Sequence, residues 1–88
     1  MNIETAKRIP ISEILDKLNR KPKRTTQSSL YYLSPLRNEK TASFHVDTVK
    51  NVWYDHGAGD GGDGITLVRR HLANSGVSYT VSDALRWL

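Results

Sequence analysis

Cysteine is absent from all 88 residues. A chain of this length buries only about 60% of the surface its unfolded form exposes, and small domains often make up the deficit with disulfides or a thiolate-bound metal. Neither staple is open to this sequence, so packing and hydrogen bonds must close the fold. Its 38% hydrophobic and 25% charged residues are ordinary for a globular chain with one core. No apolar run approaches the ~18 residues that span a bilayer, and the opening MNIETAKRIP lacks the apolar segment of a secretion signal. The expectation is a cytoplasmic protein with no membrane partner.

The net charge of +4 is unevenly spread. Residues 1–40 hold nine Lys or Arg against four acids, whereas residues 41–88 hold four against five. The densest run is Arg20, Lys21, Lys23 and Arg24. A one-sided basic surface is the electrostatic footprint of a polyanion partner, although a short run also suits a solvated loop.

Hydrophobic spacing places the elements. Ile11, Ile14, Leu15 and Leu18 follow the i, i+3, i+4, i+7 pattern, which predicts a helix over about residues 10–20 with Pro10 in its first turn. A short helical turn at Ile3–Arg8 precedes it, and Pro22 opens a basic loop. Three β-prone runs follow at Leu30–Leu33, Ser43–Val46 and Val52–Asp55, with the turn DTVKN joining the last two. Asp63 is placed to cap a helix whose stripe is Ile65, Val68 and Leu72, with Gly76 as its stop. Thr80 and Asp83 form a capping pattern ahead of Val81, Ala84, Leu85 and Leu88. The fold class is therefore α+β, a small three-stranded antiparallel sheet flanked by helices. One domain, 1–88, divides into a helical part with a basic loop (1–27), the sheet with two loops (28–62) and two helices (63–88). The last helix ends while still apolar, so the chain reads as the N-terminal module of something longer.

Two loops bracket the strands: SPLRNEKTASF (Ser34–Phe44) and the Gly-rich DHGAGDGGDG (Asp55–Gly64). The second lacks the D-x-[DN]-x-[DN]-G spacing and later Glu of a calcium loop. It also lacks the Gly-Lys-Ser/Thr ending of a phosphate cradle, and Asp60 and Asp63 would repel phosphates. Its glycines are expected to make turns with positive φ before the helix.

Together these loops resemble the N-terminal zinc-ribbon domain of bacterial DNA primases. That family reads Cys-Pro-x-His, then Glu-Lys-Thr-x-Ser-Phe, then Cys-x-x-Cys-Gly-x-Gly-Gly-Asp and a helix. The match runs through Pro35, Asn38, Glu39, Lys40, Thr41, Ser43 and Phe44, then Gly57, Gly59, Gly61, Gly62 and Asp63. It is close over residues 28–73 and looser over the N-terminal helix and Asp83–Leu88. The departure is as specific as the match. The four zinc-ligand positions fall on Ser34, Arg37, Asp55 and Ala58. An alcohol, a fixed guanidinium cation, one carboxylate and a methyl group cannot form a tetrahedral zinc site, so neither metal nor cofactor is expected. An Arg37–Asp55 pair is one candidate to tie the loops in its place, and contact between Arg37 and solvent or phosphate is the other.

No catalytic constellation is visible, because His45, His56 and His71 are scattered and Ser34 has no local base. The chain is not expected to be an enzyme by itself. Five of its seven aromatic residues, Tyr31, Tyr32, Phe44, Trp53 and Tyr54, lie on the expected strands, where alternation sends about half inward. Rings beside cations suit single-stranded nucleic acid, in which bases stack and phosphates are neutralised. The candidate binding residues are Lys23, Arg24, Arg37, Lys40 and Lys50 for phosphates, and Tyr32, Trp53 or Tyr54 for bases. The resemblance implies a module engaging single-stranded DNA template ahead of a Toprim-type primase domain, in a primase-like protein of a mobile element. Two alternatives stay open. One is a protein docking module that packs on the Toprim domain or a replication helicase; the other is a remnant that only stabilises its neighbour.

Overall fold

The computed structural model of the protein describes residues 2–36, 42–76 and 80–88. Helix α1 (Ile3–Lys7) starts at Asn2, whose side chain accepts the Thr5 N–H at 2.8 Å. Helix α2 (Ile11–Lys17) follows Pro10, and the chain leaves it through Asn19 in the left-handed region at φ 64°. Five strands come next: β1 (Arg24–Thr25), β2 (Ser29–Tyr32), β3 (Phe44–Asp47), β4 (Val52–Asp55) and β5 (Asp60–Gly62). They pair in chain order as one antiparallel sheet. Helix α3 (Gly64–Asn74) is capped by Asp63, and α4 (Val81–Trp87) carries the Thr80–Asp83 capping box that its sequence predicts.

The three expected strands are the middle three, and the sheet gains an edge strand on each side. Strand β1 lies within the run expected to be a loop, because Lys23 N–H donates to the Tyr31 carbonyl at 2.7 Å and Thr26 N–H to the Ser29 carbonyl at 2.8 Å. Strand β5 forms from the glycine run. A Cβ on Gly61 would sit 2.6 Å from the Trp53 carbonyl oxygen, so glycine permits the close pairing there. Among the described glycines of that run, Gly59 has positive φ, at 68°, so turn geometry is one of two uses the run serves.

Alternation then sorts the strands into two faces. Tyr32, Phe44, Val46, Trp53 and Asp55 face the helices and are buried, together with Ala6, Ile11, Ile14, Leu15, Leu67, Val68 and Ala84. Phe44 and Trp53 stack with centroids 5.2 Å apart, and Tyr32 meets Phe44 edge-on at 6.3 Å. Buried rings of this kind contribute about 1.5–3 kcal/mol each, plus about 0.5–1.5 for each ring pair, so this trio anchors the core. The Trp53 indole N–H donates to the Asp63 carbonyl at 2.8 Å, which joins the core directly to the start of α3. Burial, and then the charge of nearby Asp16, hold the Tyr32 phenol above its ordinary pKa.

Asn51 fixes the N-terminal helices on the sheet. It occupies the β3–β4 turn at φ 55°, a conformation asparagine tolerates well. Its side chain accepts the Ile11 N–H at 2.9 Å and donates to the Lys7 and Ile9 carbonyls at 3.0 and 2.9 Å. One amide therefore satisfies three backbone groups around the α1–α2 junction.

Candidate functional site

The side of the sheet away from the core carries a row of rings. Register places Arg24, Tyr31, His45, Tyr54 and Gly61 opposite one another across all five strands. The Arg24 guanidinium lies 4.2 Å from the centroid of the Tyr31 ring, a cation–π contact at the row's edge. Tyr31 and His45 are 5.0 Å apart, His45 and His56 6.3 Å, and Tyr54 and His56 4.7 Å. The His45 ring is oriented by Ser29, whose hydroxyl lies 2.9 Å from Nε2. Tyr54 is an open ring of the row, at 43% exposure. The arrangement offers flat π faces flanked by a cation, which is the chemistry that holds unpaired bases beside phosphates.

The expected site residues divide under this geometry. Tyr54 and Arg24 stand on the open face. Tyr32 and Trp53, each 2% exposed, belong to the core, so base stacking by either is ruled out by burial. Lys23 is exposed beside β1. Lys50 is exposed in the β3–β4 turn, beyond the Asp47–Val52 rung and at the sheet end opposite Asp55. Asp47 accepts the Val49 and Lys50 N–H groups at 3.0 Å each. Chiefly the Lys50 N–H holds the Asp47 carboxyl below its ordinary pKa. Arg37 and Lys40 lie outside the described residues, and so does the Arg37–Asp55 pair.

Sequence reasoning passed over Tyr31, His45 and His56 as a group. Their signal was parity: once Phe44 and Trp53 are assigned to the core, alternation sends His45 on β3 and Tyr54 on β4 to the other face, with His56 following Tyr54. Choosing Tyr31 over Tyr32 required the β2–β3 register, which the sequence does not display.

At one end of the sheet the two loops meet. Ser34 Oγ donates to Asp55 Oδ2 at 2.8 Å, with the two residues 1% and 0% exposed. Ser34 Oγ also accepts the Leu36 N–H at 3.1 Å. Asp55 Oδ1 accepts the Gly57 and Ala58 N–H groups at 3.1 and 3.3 Å. Each side chain thus organises its own turn while reaching across to the other. Asn74 on α3 supports the first turn, donating to the Leu36 carbonyl at 2.6 Å. In the second loop, Asp60 pairs with Arg70 at 2.7 Å. The Arg70 hydrogen bond holds the Asp60 carboxyl below its ordinary pKa, and Asp60 in turn raises that of Arg70.

An antiparallel sheet backed by helices, with two turns meeting at one end, is the architecture of a primase-type zinc-binding domain. Residues 2–85 match the family described as CHC2 zinc finger, and the chain belongs to that family. It is similar to the crystal structure of the Aquifex aeolicus primase comprising zinc binding and RNA polymerase domains, at 26% identity and a TM-score of 0.68. That match covers 96% of this chain and 19% of the Aquifex chain, so the protein spans a small part of that relative's length. No curated protein matches it.

The residues at the family's ligand positions do not fit zinc. Ser34 and Asp55 spend their buried oxygens on each other and on backbone N–H groups, Ala58 offers a methyl, and Arg37 a fixed cation. Among the described residues no buried side-chain nitrogen or oxygen lacks a partner, and no three His, Cys, Asp or Glu gather as a metal group. A hydrogen bond now joins the turns where the family places a metal.

Proposed function

We propose that the open sheet face is a non-catalytic binding surface for single-stranded DNA, belonging to a primase-like protein and engaging its template during primer synthesis. The row Arg24–Tyr31–His45–Tyr54, completed by His56, carries this reading, because rings in mutual contact on a solvent-facing sheet have no core to serve. Tyr54 stacks on a base, Arg24, Lys23 and Lys50 neutralise phosphates, and Arg37 and Lys40 are further candidates for phosphate contact. Readout is weakly sequence-specific, since stacking accepts every base. The family and the Aquifex match support a primase-related role, with a downstream Toprim domain, a helicase, a mobile-element parent and a cytoplasmic setting as further parts of the proposal.

The docking alternative loses its main support. Trp87 and Leu88 are half-buried against the domain's own core, and Lys17 both lies 4.5 Å from the Trp87 ring and donates to its carbonyl at 2.8 Å. That apolar face is already used within the domain.

The test is fluorescence anisotropy of labelled single-stranded DNA at two salt concentrations. Binding should weaken steeply with salt, and Tyr54→Ala should weaken it about 5- to 150-fold, equivalent to ~1–3 kcal/mol of stacking. Wild-type affinity in Tyr54→Ala, or no binding at low salt, would remove the reading.

A further inference from the structure

The basic run of the sequence lines an open notch in the surface. Arg20, Lys21 and Lys23 line a notch of about 260 Å³ with Asn19 and Leu33, and no carboxylate is among its walls. Its backbone is pinned at both ends: the Arg20 N–H donates to the Leu15 carbonyl at 2.8 Å, and the Lys23 N–H to the Tyr31 carbonyl at 2.7 Å. The three cations are therefore anchored together by their main chain. Lys21 pairs with Asp16, while the Arg20 and Lys23 side chains make no hydrogen bond or ion pair with the described residues. Two like charges facing one cavity without a counter-ion repel each other, and an anion placed between them relieves that repulsion.

The notch is smaller than the ~300–1,000 Å³ of sites that enclose a drug-sized ligand, which suits it to the charged end of a larger molecule. The remainder has somewhere to go. A groove of about 570 Å³ shares Arg20 and Lys21 with the notch and continues past Glu13, Asp16 and Tyr32. Its carboxylates accept hydrogen bonds from hydroxyl or amino groups and repel further phosphates. Positive notch and acceptor-lined groove together match a phosphoryl group followed by a sugar and base. Arg24, the next residue after Lys23, belongs to the aromatic row, so notch and row share the β1 edge.

We propose that the Arg20–Lys21–Lys23 notch binds the phosphoryl group of a nucleotide. The nucleotide is either free or part of the strand lying on the sheet face, and only the second source rests on the function proposed above. An Arg guanidinium offers a bidentate fork to the oxyanion, and the lysines act as point charges beside it.

The experiment is a ¹⁵N-amide NMR titration of the 88-residue protein. One arm uses inorganic pyrophosphate and the other an oligothymidylate, each repeated with Arg20→Ala/Lys23→Ala and with Tyr54→Ala. Saturable pyrophosphate shifts at Arg20, Lys21, Lys23 and Leu33, weakened about tenfold or more in the double variant and unchanged in Tyr54→Ala, support the site with free nucleotide as source. Shifts at the same amides with the oligonucleotide alone support it with the strand as source. There the double variant should lower the salt slope of binding by about 0.7, as expected for one lost phosphate contact on a single strand. Shifts at these amides with neither probe, or shifts that survive in the double variant, overturn the proposal. Loss of oligonucleotide binding in Tyr54→Ala with pyrophosphate shifts intact separates the two sites.

Discussion

Ser34 and Asp55 replace a metal with one hydrogen bond, and the substitution is far from equal in energy. A structural zinc contributes roughly 10–16 kcal/mol in small zinc peptides, whereas a hydrogen bond to a charged group contributes about 1.5–3. The bond therefore sets the geometry of the turns, and the core must supply most of the stability. Ser34→Ala takes a donor from Asp55 and the acceptor from Leu36 N–H, and should cost about 1–3 kcal/mol in urea denaturation. A loss below about 0.5 kcal/mol would show that the bond is incidental. Asn51 invites a cleaner test, because Asn51→Gly keeps the left-handed backbone and removes only the amide. The three hydrogen bonds lost predict a destabilisation of about 2–3 kcal/mol by the same measurement. Little in the sequence announced Asn51: it reads as an ordinary turn residue, and its partners lie 40 to 44 positions away. The Ser34–Asp55 bond was closer to legible, since both residues occupy matched positions of the family pattern and one is a donor, the other an acceptor.

Among the elements, legibility follows the amount of side-chain pattern each one carries. Helices α2, α3 and α4 announce themselves through apolar spacing and caps, and β3 and β4 through alternation. Strands β1 and β5 carry no such pattern. β1 is two exposed polar residues and β5 is Asp-Gly-Gly, so both exist through pairing with a neighbour. The link from β5 to α3 is the Asp60–Arg70 pair, whose side chains are 35% and 46% exposed, so its contribution is discounted to about 0.5 kcal/mol. Asp60 holds its proton less readily in the folded state, so this stabilisation is present above the ordinary carboxylate pKa and is lost as pH falls through the depressed one. The matching rise at Arg70 keeps that partner charged throughout the range. Arg70→Ala should thus be slightly less stable than wild type at neutral pH, with the difference vanishing in strong acid. Denaturation series at both pH values check this, and a gap that persists in acid would assign the effect to lost packing.

At the scale of the whole molecule, one sheet separates two tasks. One face is spent on the Tyr32–Phe44–Trp53 core, leaving Tyr31, His45, Tyr54 and His56 on the other, where the proposed function uses them. If that function holds, alternating positions divide between stability and binding, so Trp53→Ala should lower stability and Tyr54→Ala should lower DNA affinity although the residues are adjacent. Because Ser34, Arg37, Asp55 and Ala58 at the family's ligand positions do not fit zinc, saturating chelator should leave the melting temperature unchanged, whereas a drop of several degrees would mean that an ion holds the turns. The resemblance read from the loops identified the family, and the misfit of Ser34, Arg37, Asp55 and Ala58 to zinc was equally plain from their chemistry. Which face carried which ring was not, because it depends on register.

A cysteine-ligated ribbon is also a sensor, whether or not selection wanted one: oxidants convert its thiolates to disulfides or oxyacids and release the ion. The alcohol and carboxylate of Ser34 and Asp55 have no sulfur to oxidise. On the proposed function, a sheet face positioned by that pair should keep its strand affinity through peroxide treatment and metal starvation alike, uncoupling recognition from the redox state of the cell.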